Sequence, residues 1–295
     1  MAVVSLAVAA GALVPQHVVL LDHGSKRPEA HRALADAARS LHLLTQRPVH
    51  PASLKFANLL QPPQNQLNEN CSPPPNSLQL TLRKIAEKGD SRVAIVPLFL
   101  APNDGLQAAV DEHLGKLTSE GLSLQVMVGK SLVDDNTPDD NGVASAMVSN
   151  ILDIAREKKI SEPLKVVVLD HGTPSRRVNA VRELLTRQVS ELLGSRAAVV
   201  AGASMERREE SVYDFNEPLL ERVFDSQGLC SGDVIIALGF MLPGRHAGPG
   251  GDIEEILRAV KLQRPSLRLH VLPLLGTMPS IHKLLRDRVK RLCDD

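Results

Sequence analysis

Residues 17–27 read HVVLLDHGSKR, and residues 165–176 read KVVVLDHGTPSR. Each is a short run of β-branched and aliphatic residues, the pattern of a buried strand, and each stops at Asp-His-Gly followed by Ser or Thr. The echo continues downstream in the same order. PASLK at 51–55 answers GASME at 202–206, RVAIVPLFL at 92–100 answers DVIIALGFML at 233–242, and LQVMVG at 124–129 answers HVLPLLG at 270–276. The paired segments lie 141 to 151 residues apart. Four collinear matches at near-constant spacing mark a tandem duplication.

Amphipathic stretches separate the apolar runs. In the first copy the spacing predicts helices over Pro28–Leu44, Leu78–Lys88, Leu106–Leu117 and Val143–Lys158. In the second it predicts them over Val178–Leu193, Glu217–Phe224, Ile253–Leu262 and Ser280–Leu292, with Asn216 as an N-cap and Pro218 in the first turn. Strands alternating with helices imply βαβ crossovers and parallel sheets. The expected fold is therefore α/β: two tandem, doubly wound, parallel four-stranded βα domains, pseudo-twofold related, with a cleft between them. The expected division is an N-terminal extension over 1–15, an N-terminal domain over 16–160 and a C-terminal domain over 161–295. Two segments read as exposed insertions: the Pro-, Asn- and Gln-rich stretch 61–76, expected to be a mobile loop, and the acidic, turn-prone run 134–142, expected to be a solvated one.

Composition narrows the function. The 34 Lys and Arg balance 34 Asp and Glu, which argues against broad electrostatic binding of nucleic acid or membranes. Aromatics make up 2% of the residues, too few for base-stacking platforms. Three cysteines, Cys71, Cys230 and Cys293, form no CxxC pair and no even framework. This points to a soluble protein of a reducing compartment, cytoplasm or plastid stroma, without a disulfide scaffold, thiolate zinc site or iron–sulfur cluster. The apolar start, residues 1–14, is too short to span a bilayer and lacks the Arg- and Ser-rich look of a transit peptide. No dinucleotide fingerprint, Walker loop or nucleophile elbow is present.

In open α/β sheets, ligands bind outside the carboxyl ends of the strands. Both Asp-His-Gly tripeptides belong there, as do the ends of the segments that follow. The second copy supplies His171, Glu206 and His246 at those ends, two imidazoles and a carboxylate suited to a divalent first-row metal. The matched positions of the first copy are His23, Lys55 and Gly105. An ammonium in place of the carboxylate opposes a dication, so one working site and one degenerate site are expected. A lone strand-end His-Gly is more often a turn, and Glu206 in its ERREE run would ordinarily be a surface charge. The assignment rests on the convergence of all three.

LLDHGSKRPEAHRAL with VAIVPLFLAP, and again VVLDHGTPSRRVNAV with GFMLPGRHAGPGGDI, resemble the sirohydrochlorin chelatase family of the CbiX/SirB type. The resemblance spans about residues 16–292 as two copies. It implies insertion of Fe(II) or Co(II) into sirohydrochlorin or a related acidic tetrapyrrole, on the routes to siroheme or cobalamin. The metal would be a substrate rather than a permanently bound cofactor, held at His171 and His246 with Glu206 beside them. Asp22 and Asp170 depart from the family, many members having Gly before His-Gly, and the loop after His246 is longer than usual. The acidic side arms of such a ring call for cations, and Lys26, Arg27, Arg176, Arg177, Arg207 and Arg245, with Arg208, all follow strand-end motifs. Gly244, Gly248, Gly250 and Gly251 would let the backbone approach a flat ligand. The duplication suits a working monomer, with a homodimer also open. The alternative to catalysis is a carrier of metal or tetrapyrrole that kept the fold.

Overall fold

The computed structural model describes residues 15–56, 76–89, 92–134, 136–226 and 228–294. The N-terminal extension up to residue 14, and residues 61–75 of the insertion expected to be mobile, lie outside the described residues.

The first half runs β1 (His17–Asp22), α1 (Pro28–Thr45), β2 (Val49–Ser53), β3 (Asn76–Ser77), α2 (Leu78–Ala86), β4 (Arg92–Pro97), α3 (Leu106–Ser119), β5 (Gln125–Val128) and α4 (Gly142–Glu157). The second runs β6 (Leu164–Asp170), α5 (Arg176–Leu193), β7 (Ala197–Ser204), α6 (Leu220–Val223), β8 (Gly232–Leu238), α7 (Asp252–Gln263), β9 (Leu267–Val271) and α8 (Pro279–Asp294). Every pairing between these strands is parallel. The sheet orders are β3-β2-β1-β4-β5 and β7-β6-β8-β9. Each half thus reverses its winding direction at its first strand, and the crevice at that switch is where a ligand belongs.

The two sheets repeat one strand order with one addition. The first sheet carries a fifth strand, β3, two residues long, joined to β2 through Ala52↔Asn76 and Ser53↔Ser77. The second sheet keeps only a trace of it, the single bridge Ser204↔Leu219. Two residues are too few to show alternation, so no sequence pattern marks them.

Alternation along the central strands sorts the interior into layers. Val18 and Leu20 of β1 face the same apolar cluster as Val166 and Val168 of β6. Val19 and Leu21 turn outward to α2 and α3, while Val167 and Leu169 turn outward to α6 and α7. The shared middle layer is filled by α1, α4, α5 and α8. The last helix of each half crosses over within it: α8 packs on α1 and β4, and α4 packs on α5 and β8. Polar contacts tie the crossing in place. His282 of α8 bonds Ser40 of α1 at 3.0 Å, and Gln188 of α5 donates to the Pro138 carbonyl at 2.8 Å.

Two local expectations change. The acidic run 134–142 is not merely solvated. Asp134 is buried beside Lys130 at 2.8 Å, and Asp140 accepts from the buried Arg288 at 2.7 Å, anchoring the loop to α8. Asn216 is not a helix N-cap either. It is fully buried, accepts from Thr173 N–H at 2.9 Å and donates to the Thr173 and Tyr213 carbonyls. The predicted helix over 217–224 shrinks to four residues, Leu220–Val223.

Candidate metal centre

Both His-Gly steps owe their form to one close approach. Gly172 has φ +91°, and a Cβ there would stand 1.8 Å from the Glu206 carbonyl oxygen. Gly24 has φ +92°, with the Lys55 oxygen at the same 1.8 Å. Only glycine tolerates both the left-handed conformation and the contact. The approach is sealed by main-chain bonds: Glu206 N–H donates to the His171 carbonyl, and Lys55 N–H to that of His23, each at 3.1 Å. The strand ends are thereby stitched so that His171 stands beside Glu206, and His23 beside Lys55.

A buried network fixes the second-half loop. The Asp170 carboxyl accepts from Ser204 Oγ at 2.6 Å and from Gly172 N–H at 3.2 Å. Burial pushes this carboxyl above its ordinary range, with Ser204 and Arg182 pulling the other way. Arg182, almost wholly buried, donates to Ser204 Oγ at 2.5 Å, to the Asn216 carbonyl at 2.9 Å and to the Phe215 carbonyl at 3.1 Å. The first half repeats the aspartate–serine pair as Asp22 and Ser53, and burial raises Asp22 likewise. Asp22 and Asp170 are thus part of the framework under each histidine.

His246 reaches the same place from the Gly- and Pro-rich loop after β8. Its Nδ1–H donates to Asp252 Oδ2 at 2.6 Å, and its carbonyl accepts from Ile253 N–H at 3.1 Å. Asp252 opens α7, so the helix start holds the imidazole. The ring centroids of His171 and His246 are 4.4 Å apart, with planes at 60°. His171 Nδ1 lies 3.0 Å from the Gly172 carbonyl. A carbonyl can only accept, so Nδ1 carries the proton and Nε2 the lone pair. That Nε2 is buried without a hydrogen-bond partner.

Glu206 stands beside this pair rather than closing around it. Its Oε1 is 3.5 Å from His171 Nε2, and its side chain is 58% exposed. Among the described residues no group of three or more His, Cys, Asp or Glu side chains is gathered tightly enough to hold a metal ion. The structure brings together two imidazoles, with the carboxylate next to one of them. In the first half, His23 stacks on Phe99 at 4.0 Å and 8°, and its surroundings and Lys55 push the imidazole pKa below the usual value. Gly105 offers no ligand there and precedes α3.

A cleft of about 1220 Å³ between the halves contains His23, His171 and His246 in its walls. Lys26, Arg27 and Arg245 line it. Arg176 instead lies over the Phe215 ring at 4.6 Å, and Arg177 pairs with Asp104 across the two halves. Arg207 is held by Glu217 at 2.8 Å and Asp214 at 3.1 Å, and Arg208 by Tyr213 at 3.0 Å. The role of Asp252 was not assigned from sequence, although an acid opening the helix after a ligand-type histidine was visible there. Among the described residues no helix is long and apolar enough to cross a membrane.

Residues 165–292 match the CbiX family model. No curated protein matches the chain in sequence. Among solved structures, SirB from Bacillus subtilis with Fe3+ aligns with a TM-score of 0.67 at 16% identity, covering 95% of this chain and 96% of that one. SirB from Bacillus subtilis subspecies spizizenii in complex with cobalt aligns at 0.63 and 16% identity, with the same coverage. The structure of CbiX, the terminal enzyme for biosynthesis of siroheme in denitrifying bacteria, aligns at 0.56 and 16%, covering 93% and 98%.

Proposed function

We propose that this chain, CbiX-like in sequence across its second half and built throughout on the sirohydrochlorin chelatase fold, inserts a divalent metal such as Fe(II) or Co(II) into sirohydrochlorin or a related acidic tetrapyrrole. One observation carries the reading: two imidazoles meet at the cleft with both Nδ1 atoms engaged by acceptors. Both Nε2 atoms are then left to bind a cation. Two imidazoles on one tetrahedral ion have ring centres about 5 Å apart, since each nitrogen stands about 2.0–2.1 Å from the metal. The observed 4.4 Å is close to that separation.

Insertion must strip water from the ion and remove two pyrrole protons. His171 and His246 take the ion through their Nε2 lone pairs. Asp252 holds His246 in the correct tautomer and makes it a better donor. Glu206, largely exposed and within 3.5 Å of His171, balances the charge and accepts one pyrrole proton as general base, and a histidine Nε2 that has released the ion to the ring takes the second. Both walls of the cleft come from one chain, which supports a working monomer.

The test is spectral metallation of sirohydrochlorin with Fe(II) or Co(II). The wild type is expected to exceed the spontaneous rate, and His171→Ala with His246→Ala to fall back to it. The openness of the Glu206 side of the site favours one second reading, a carrier that binds without catalysing. Binding of metal and macrocycle with no acceleration would select it.

A further inference from the structure

The two halves hold their cations differently. On the second half every basic residue expected at the cleft already has a partner. Arg176 lies over Phe215, Arg177 pairs with Asp104, Arg207 with Glu217, and Arg245 is 3.7 Å from Asp252. On the first half, among the described residues, Lys26, Arg27 and Lys55 have no carboxylate partner and are exposed. Lys26 and Arg27 line the cleft, and Lys55 is adjacent to Phe56, which lines it too. Two unneutralised cations in the cleft wall, with a third at Lys55 whose charge reaches His23, make that lobe an anion receptor.

The same lobe presents flat apolar surfaces, scarce in a chain that is 2% aromatic. His23 and Phe99 form a parallel pair in the cleft wall, and its environment keeps His23 from adding charge. Phe56 is 39% exposed, with the Lys26 ammonium 5.3 Å from its ring centre. Phe56 also holds φ +60°, a conformation that bulky residues rarely adopt and that persists where the surroundings enforce it.

Resting on the chelatase reading, we infer that the first half, with Lys55 and Gly105 where the second has Glu206 and His246, binds the substrate: Lys26, Arg27 and Lys55 grip the carboxylate arms of the macrocycle against Phe56 and the His23–Phe99 pair, while the second half holds the metal. Lys55 occupies the place of Glu206, with the same main-chain bond and the same glycine contact beneath it. Reversal of charge at that one position converts a cation-facing strand end into an anion-facing one. The asymmetry also orients the ring, since carboxylates are drawn to one wall and the dication to the other.

The experiment is a fluorescence titration of metal-free sirohydrochlorin into the full chain. In the His171→Ala/His246→Ala background, affinity is expected to equal that of wild type. Lys26→Ala with Lys55→Ala is expected to weaken binding at least tenfold, about the value of one charge-assisted bond. Lys55→Glu should weaken it further, and added salt should shrink the difference. Lys116→Ala, whose side chain pairs with Glu112 away from the cleft, should change nothing. The fully esterified macrocycle, if it binds, should not distinguish wild type from Lys26→Ala/Lys55→Ala. Wild-type binding unchanged within twofold by removal of all three cations would overturn this inference and leave the chelatase reading standing. Failure of the wild type to bind the macrocycle at all would overturn both.

Discussion

Replacing Gly172 with alanine should unfold the centre from beneath, and the matched change at Gly24 should cost the same stability without touching the metal. At φ +91° an added Cβ costs about 1–2 kcal/mol from the left-handed conformation. It also falls 1.8 Å from the Glu206 carbonyl oxygen, a main-chain atom that no rotamer change can move aside. The strand ends must part, forfeiting the Glu206 N–H bond to His171 and that of Gly172 to Asp170. Those bonds are worth about 0.5–1.5 kcal/mol and, for the charged acceptor, about 1.5–3 kcal/mol. A loss of about 3–6 kcal/mol follows, a large part of the 5–15 kcal/mol typical of folded proteins. Gly24, at φ +92° with the Lys55 oxygen at the same distance, should lose a comparable amount. Denaturant titration gives the two stability losses, and equilibrium dialysis against Co(II) under folding conditions gives retention. Only Gly172→Ala should impair retention. Losses below about 1 kcal/mol at either position, against the range expected for this geometry, or equal loss of Co(II) by folded Gly24→Ala, would refute the reasoning.

Asp252→Asn should keep the fold but lower Co(II) affinity about 10–100-fold, the usual penalty for losing a carboxylate behind a ligand histidine, measured by competitive titration. Leu285→Ala on α8, fully buried in the layer between the sheets, should cost about 2–5 kcal/mol in chemical denaturation. Asp233, paired with Arg268 and His270, has its pKa lowered to about 2. A depressed carboxylate stabilises above its unfolded pKa and loses that contribution as pH falls through the folded one. Asp233→Asn should therefore be less stable than wild type at pH 7, with the deficit fading from about pH 4 to about pH 2.

The paired strand-end motifs disclosed the fold because alternation and chain breaks are local. Val18 through Leu21 must lie in a strand buried on both faces, wherever the sheet sits. They could not disclose the crossing of α4 and α8, since Ile281, Leu285 and Val289 make the same apolar stripe whichever half they cover. Nor could spacing tell that Asn216 would be consumed by the Thr173 loop instead of capping a helix, because that bond joins residues 43 apart. At the site, His171 and His246 were legible as strand-end imidazoles of matched topology, and the structure places their rings in contact. Sequence could not show how the basic residues are paired. A list of arginines does not show that Arg207 already faces Glu217 and Asp214, whereas the structure does.

The proposed chemistry needs one ion shared by His171 and His246. Crystals grown with Co(II) and measured at its absorption edge would locate it. The expected result is one anomalous peak at the cleft, about 2.0–2.1 Å from the Nε2 atoms of both His171 and His246. A peak bound to only one of them, or one beside His23 with the second half empty, would contradict it.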